Sequence, residues 1–283
     1  MATRCSCATV RCASIDGAGV NSSPIVRAFC IGHVRPVFQP TLPYTMLSPK
    51  PLGMAGEVVI EDTRFGHGGD GAELAEYSQL FGLQEMLISG DVVADRLYLF
   101  QYRKFIGFKA GGLQATAPWV RIAPPEETGT LMPSMDELQA SRHAVVVGSM
   151  FPLGGSVAKN YAMVHVIDDL VAFAACLGAC GMDPRSVRQF ASFQGLLPSP
   201  TLCLVDTELF LRQMVVLRAA WDEYARYARM AREGYQRRVA GYLLERLHSH
   251  LLCQWLMDGS QGSVGIGHRY VVLDATATQK VAA

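Results

Sequence analysis

The chain has 283 residues, half of them hydrophobic and 18% charged, with 25 Lys plus Arg against 25 Asp plus Glu. That length and apolar content suit one α/β domain with a sizeable core and a helical C-terminal part. The balanced charge gives no global electrostatic reason to bind nucleic acid or an acidic membrane. No segment reads as transmembrane: the longest apolar run, residues 170–182, is shorter than the roughly 20 residues a spanning helix needs. The start of the chain lacks the apolar stretch of a secretory signal, so the reading is cytoplasmic.

In chain order, residues 1–26 are rich in Ser, Ala, Gly and Cys, show neither hydrophobic period, and read as a disordered leader. Cys5, Cys7 and Cys12 within it lack the second ligand pair of a structural zinc site. Order is expected over 27–258, followed by a tail at 259–283. The apolar run from Ile25 to Ile31 is a buried strand that ends at Gly32–His33. Short strands are expected at Tyr44–Leu47 and Glu57–Ile60. The spacing of Leu74, Tyr77, Leu80, Phe81, Leu83 and Leu87 predicts a helix over 73–87. Leu97 to Phe100 is a strand running into Gln101–Tyr102–Arg103–Lys104. Residues 107–142, with Gly111–Gly112 and Pro124–Pro125, read as surface loops. A strand follows at 143–147, a helix at 161–178 that buries Cys176 and Cys180, a strand at 202–205, and helices at 207–233 and 235–256. Strands alternating with helices argue for a three-layer α/β sandwich with a mainly parallel sheet.

The usual catalytic signatures are absent: there is no nucleophile elbow, no zinc-protease helix, no P-loop and no dinucleotide fingerprint in its strand–turn–helix context. What remains is polar residues at strand ends, where open α/β sheets bind ligands. Arg103 and Lys104 after a buried strand suit a phosphate, or else form a basic turn. His33 is a second strand-end residue, or a loop histidine. On one helix His165 and Asp169 would share a face with Asp168 about 100° away, an incomplete metal or acid–base cluster. Asp206 and Glu208 fit helix N-capping better than metal binding. Arg226, Arg229 and Arg232 read as a solvated stripe. In the last helix Gly241 sits beside Arg238 and Glu245, and a glycine there suggests close approach by a backbone or ligand.

These segments, taken in order, resemble a glycosyltransferase-like domain of unknown function from bacterial capsular and exopolysaccharide loci. Gly32–His33–Val34–Arg35–Pro36 is similar to its Thr-His-Lys-Pro, and Tyr77 to Leu83 to its Tyr-Cys-Glu-Leu-Thr-Ala-Leu helix. Gln101 to Phe105 resembles His-Tyr-Arg-Arg-Tyr-Phe, and His165 to Leu170 resembles His-His-Ile-Glu-Asp-Leu. Tyr235 to Leu247 matches Tyr-Gln-x-Arg-Val-x-Gly-Phe-Leu-x-Glu-Arg-Leu, keeping Gln236, Arg238, Gly241, Glu245 and Arg246. The chain departs from the family at Gln79, Gln101 and Val166, which stand where the family has Glu, His and His, and so reads as a divergent member.

The resemblance implies a GT-A-like fold and transfer of a sugar from a nucleotide-sugar donor to a glycan or lipid-linked acceptor. It implies donor binding by His33, Gln79, Gln101, Tyr102, Arg103 and Lys104, and a pocket wall of Tyr235, Arg238, Gly241, Glu245 and Arg246. Catalytic roles fall to His165, Asp168 and Asp169. No metal ligands are assigned, although a divalent cation, manganese or magnesium, stays open as a cofactor. The alternative is a non-catalytic nucleotide-sugar or carbohydrate-binding relative, or an assembly partner in a polysaccharide-synthesis complex.

Overall fold

A computed structural model describes residues 23–67, 72–258 and 263–273. The described residues open with three strands, β1 (Val26–Ile31), β2 (Thr45–Ser48) and β3 (Val58–Val59), followed by α1 (Tyr77–Ser89) and β4 (Arg96–Gln101). The excursion that comes next holds β5 (Lys104–Gly107), β6 (Leu113–Gln114), β7 (Arg121–Ala123), α2 (Thr128–Leu131) and α3 (Met135–Ala140). After β8 (His143–Val147) and β9 (Phe151–Pro152) come α4 (Val157–Val164), α5 (Ile167–Ala179) and α6 (Pro184–Ser192). The chain continues with β10 (Gly195–Leu196), β11 (Cys203–Asp206), α7 (Thr207–Tyr227), α8 (Val239–Met257), β12 (Ser263–Ile266) and β13 (His268–Val272).

The expected α/β architecture is present. Strands β3, β2, β1 and β4 run parallel, β11 is reversed between β4 and β8, and β12 lies parallel to β8. From the end of β4 the chain turns through Tyr102–Arg103 into β5, which pairs with β13 and through it reaches β7 and β6. The strands are apolar on both faces, and alternate residues enter different cores. Phe29, Ile31, Leu97, Leu99, Val145, Val147 and Val205 meet the helices α1, α5, α7 and α8. Ala28, Cys30, Tyr98, Phe100, Val146 and Leu204 face Phe38, Leu42, Leu131, Met132 and Leu138 on the other side.

Four expectations need correction, each for a physical reason. The helix read over 161–178 is two helices, because His165 and Val166 are extended between α4 and α5. Apolar spacing continues across that break, so periodicity does not reveal it. The helix read from 73 starts at Tyr77: a short 3-10 turn, Ala72–Leu74, precedes Ala75, whose φ is +51. Residues 107–142 are more than loops, since Leu131, Met132 and Leu138 are core residues and a Ser134–Glu137 capping box starts α3. The tail expected from 259 instead supplies β12 and β13 to the main sheet, with Tyr270 and Val272 buried.

Smaller corrections concern individual side chains. Asp206 occupies the N-cap position of α7 without a side-chain cap bond, and accepts from Arg96 Nε at 3.0 Å instead. Arg229 donates to the Gly66 carbonyl at 2.9 Å and Arg232 pairs with Asp169, so two members of the arginine stripe are tied down. Cys176 is buried as expected, but Cys180 is exposed. Of the leader read over 1–26, the part with Cys5, Cys7 and Cys12 lies outside the described residues, but its end is ordered, since Ile25 N–H donates to Asp95 and Val26 is a buried residue of β1.

Two predictions follow from the packing. Gly82 faces buried Ile60, and a Cβ there would lie 2.5 Å from Ile60 Cδ1 and 2.8 Å from its Cγ2. Gly82→Ala should therefore cost about 1–3 kcal/mol in denaturant unfolding; a neutral result would mean that Ile60 repacks freely. The second concerns histidines in α8. Burial pushes His248 down to about 3 and His250 down to about 4 from the ordinary 6.5. The unfolded chain takes up protons below about 6.5 while the folded chain resists, so stability is full above that pH and falls as pH drops toward 4. Each histidine contributes up to about 1.4 kcal/mol per pH unit to that fall. His250 packs edge-on against Phe190 and Phe193, so His250→Leu should flatten the decline in unfolding free energy between pH 6.5 and 5. An unchanged slope would contradict the assignment.

Candidate functional site

A cavity of about 490 Å³ opens at the C-terminal ends of β1, β2 and β4. This is where a parallel sheet releases its polar residues into loops. Its walls bring together His33, Gln79, Gln101, Tyr102, Arg103, Lys104, Arg238, Gly241 and Glu245, all singled out in the sequence. They come from four places in the chain. His33 follows β1, Gln79 is in the first turn of α1, the 101–104 segment is the β4–β5 turn, and α8 with the turn before it supplies the rest.

Glycine and strain shape the walls. A Cβ at Gly32 would lie 3.1 Å from Tyr102 Cβ, so the missing side chain lets Tyr102 fold back on the β1 end and meet the His33 ring at 5.2 Å. A Cβ at Gly241 would lie 2.9 Å from Ala75 Cβ, so α8 approaches the start of α1 too closely for any side chain. The close approach suggested by that glycine is to another part of the chain. Ala75 and Ser199, both lining the cavity, have φ of +51 and +50. Non-glycine residues in this region cost energy, and such strain gathers at functional sites.

The cavity is electrostatically mixed. Exposed Arg103 and Arg238 and part-buried Lys104 face the carboxylates of Glu76 and Glu245. Gln101 Nε2 and the Thr201 hydroxyl donate to Glu76 Oε1 at 3.2 and 3.3 Å, while Glu76 Oε2 stands 4.0 Å from Arg238. Glu245 Oε1 accepts the Ser199 N–H at 2.9 Å. Burial lowers the Lys104 pKa, an effect that Glu76 opposes and Arg103 reinforces. Glu76, Ala75, Ser199 and Tyr242 were not singled out in the sequence. Glu76 lies inside an apparent helix there, and only the break at Ala75 makes it a wall residue.

The remaining expected residues lie elsewhere. Both oxygens of Asp169 are occupied: Arg232 donates to Oδ1 at 3.0 Å and to Oδ2 at 3.1 Å, and the Tyr224 hydroxyl donates to Oδ1. Asp169 is 1% exposed, a buried ion pair tying α5 to the segment after α7. Asp168 is exposed at the start of α5 and does not line the cavity. His165 packs in a cluster of rings, 4.1 Å from Tyr242 and 5.9 Å from Tyr235, and it bonds Gln236. Arg246 is buried, donating to Asn160 and to the Tyr242 carbonyl. His165, Tyr235 and Arg246 thus stand behind Tyr242 and set its position rather than line the cavity.

Among the described residues no three His, Cys, Asp or Glu side chains converge to hold a cation. Of the cavity carboxylates, Glu76 and Glu245 each have Oε1 bound by the protein's own donors. Among the described residues no helix is long and apolar enough to cross a membrane.

No family model matches the sequence, and comparison with curated proteins gave no match. Among solved structures the chain is similar to WbbM, a bifunctional glycosyltransferase in its apo form, with a TM-score of 0.70 at 14% identity. The alignment covers 88% of this chain and 45% of that one, so the chain spans less than half of WbbM. At this identity the likeness is one of fold: the chain has a glycosyltransferase-like α/β fold.

Proposed function

We propose that this protein is a glycosyltransferase, moving a sugar from a nucleotide-sugar donor to a glycan or lipid-linked acceptor, as the resemblance to capsular and exopolysaccharide domains implies. The observation that carries this reading is the convergence of Arg103, Lys104 and Arg238 on one cavity at the ends of β1, β2 and β4. Breaking a sugar–diphosphate bond leaves negative charge on the departing phosphate. Preorganised cations at that point stabilise the transition state without reorganisation. The fold likeness to a glycosyltransferase supports the same reading.

Glu76 is the group assigned to the acceptor. Its Oε1 is held by Gln101 and Thr201, which fixes the carboxylate and leaves Oε2 beside the cavity at 4.0 Å from Arg238. The acceptor hydroxyl oxygen bonds to the anomeric carbon, the bond from that carbon to the diphosphate breaks, and the hydroxyl proton passes to Glu76. Asp168, Asp169 and His165 have no part in this scheme, since none lines the cavity.

A thermal-shift screen of the full chain against nucleotide sugars and nucleoside diphosphates, with and without Mn²⁺, tests the donor site. A ligand at about 100 times its Kd stabilises by about 2.7 kcal/mol. The Arg103→Ala/Lys104→Ala variant should lose that response, and an undiminished response would sink the reading. Glu76→Gln should keep donor binding while slowing transfer by about 100-fold or more. Transfer at the wild-type rate would remove Glu76 from the scheme.

A further inference from the structure

The last strand carries a cation that the scheme above does not use. Arg269 is 4% exposed, yet among the described residues its Nε has no hydrogen-bond partner. Among the described residues its guanidinium donates from one η nitrogen to the Trp119 carbonyl, at 3.4 Å, too long to account for a buried guanidinium. Among the described residues no carboxylate lies within ion-pair reach of it. Glu245 is the charge that most offsets its burial, but Glu245 Oε1 is taken by the Ser199 N–H. A buried cation left without a counter-charge costs several kcal/mol.

The register shows where Arg269 sits. Arg269 pairs with Ile106 and Val271 with Lys104 across the β5–β13 ladder. Residues directly opposite share a face, and so do residues two apart. Lys104 and Arg269 are therefore diagonal neighbours on one face of this ribbon; Lys104 lines the cavity, while Arg269 stands beside Lys104, outside the lining residues. The end of β8 makes room on that face: a Cβ at Gly148 would lie 2.5 Å from an Arg269 η nitrogen. Burial lowers both cations, Arg269 to about 10.

We propose that Lys104 and Arg269 form a binding pair for an oxyanion, phosphate or carboxylate, carried by the ligand of this cavity. The guanidinium supplies the fork that grips such a group with two parallel bonds, and the ammonium adds a point charge beside it. The bound oxyanion supplies the counter-charge that Arg269 lacks among the described residues. This inference deepens the proposed function by giving the substrate a required acidic group that reaches past Lys104 to Arg269. It rests on the cavity being the ligand site, and stands independently of sugar transfer.

Two probes identify the source of the oxyanion: inorganic pyrophosphate for the donor's diphosphate, and glucuronate for an acidic acceptor. Calorimetric titration of the full chain should show that at least one of them binds. Arg269→Met should weaken that probe by at least about tenfold, and Arg269→Lys, which keeps the charge but loses the fork, should weaken it less. In anion-free buffer Arg269→Met should melt no lower than wild type, because it removes an unpartnered buried charge. Should the methionine variant fail to fold, the lysine variant decides alone. Overturning results are that wild type binds neither probe, or that a folded variant of either kind binds both with the wild-type Kd. An Arg269-dependent oxyanion site with no transfer to any acceptor would sink the proposed function and leave this inference standing.

Discussion

The site depends on the register between β1 and β4, which lie side by side over six residue pairs from Val26↔Arg96 to Ile31↔Gln101. Both strands are buried on both faces, so each must stop where its sequence turns polar. Because the pairing is in step, they stop at the same level and release His33 and Gln101–Lys104 at one edge. A slip of one residue would exchange the Phe29–Leu99 face for the Cys30–Phe100 face in one strand only and destroy both cores.

The second wall is brought by α8, and here the deciding contact is the approach of the Gly241 backbone to the Ala75 methyl group. Gly241 lets α8 close on Ala75, which places Arg238 and Glu245 opposite the strand ends. Behind that contact, Tyr242 rests on the His165 ring, and Arg246 holds α4 through Asn160. The Asp169–Arg232 pair fastens α5 on the same side. The titratable residues that look most chemical in the sequence thus hold the wall in place, while Glu76, inconspicuous in the sequence, faces the cavity. Burial separates the two roles: a carboxylate at 1% exposure with both oxygens engaged has nothing left to offer a substrate.

Local signals were reliable where packing merely extended them. The apolar runs at 26–31, 97–100, 143–147 and 202–205 are strands because a sheet covered on both faces needs them continuous. Where tertiary contacts override propensity, reading by period fails. The extended His165–Val166 break is held by ring contacts from Tyr235 and Tyr242, far along the sequence, and nothing local announces it. The 263–272 segment is short and looks like a tail, yet it is ordered by pairing with β8 and β5. Arg269 was missed with it.

By itself, the sequence determined the α/β class, the positions of β1, β2, β3, β4, β8 and β11, the cations at the end of β4, and a glycine in the last helix that suggested a close approach. Composition and periodicity carry that information because burial acts residue by residue along the chain. The tertiary structure alone decided which polar groups share a cavity, which are consumed in holding it together, and that the final strand places Arg269 on the same ribbon face as Lys104. Such facts depend on pairing between segments far apart in sequence, and no local pattern of hydrophobicity or charge encodes the partner.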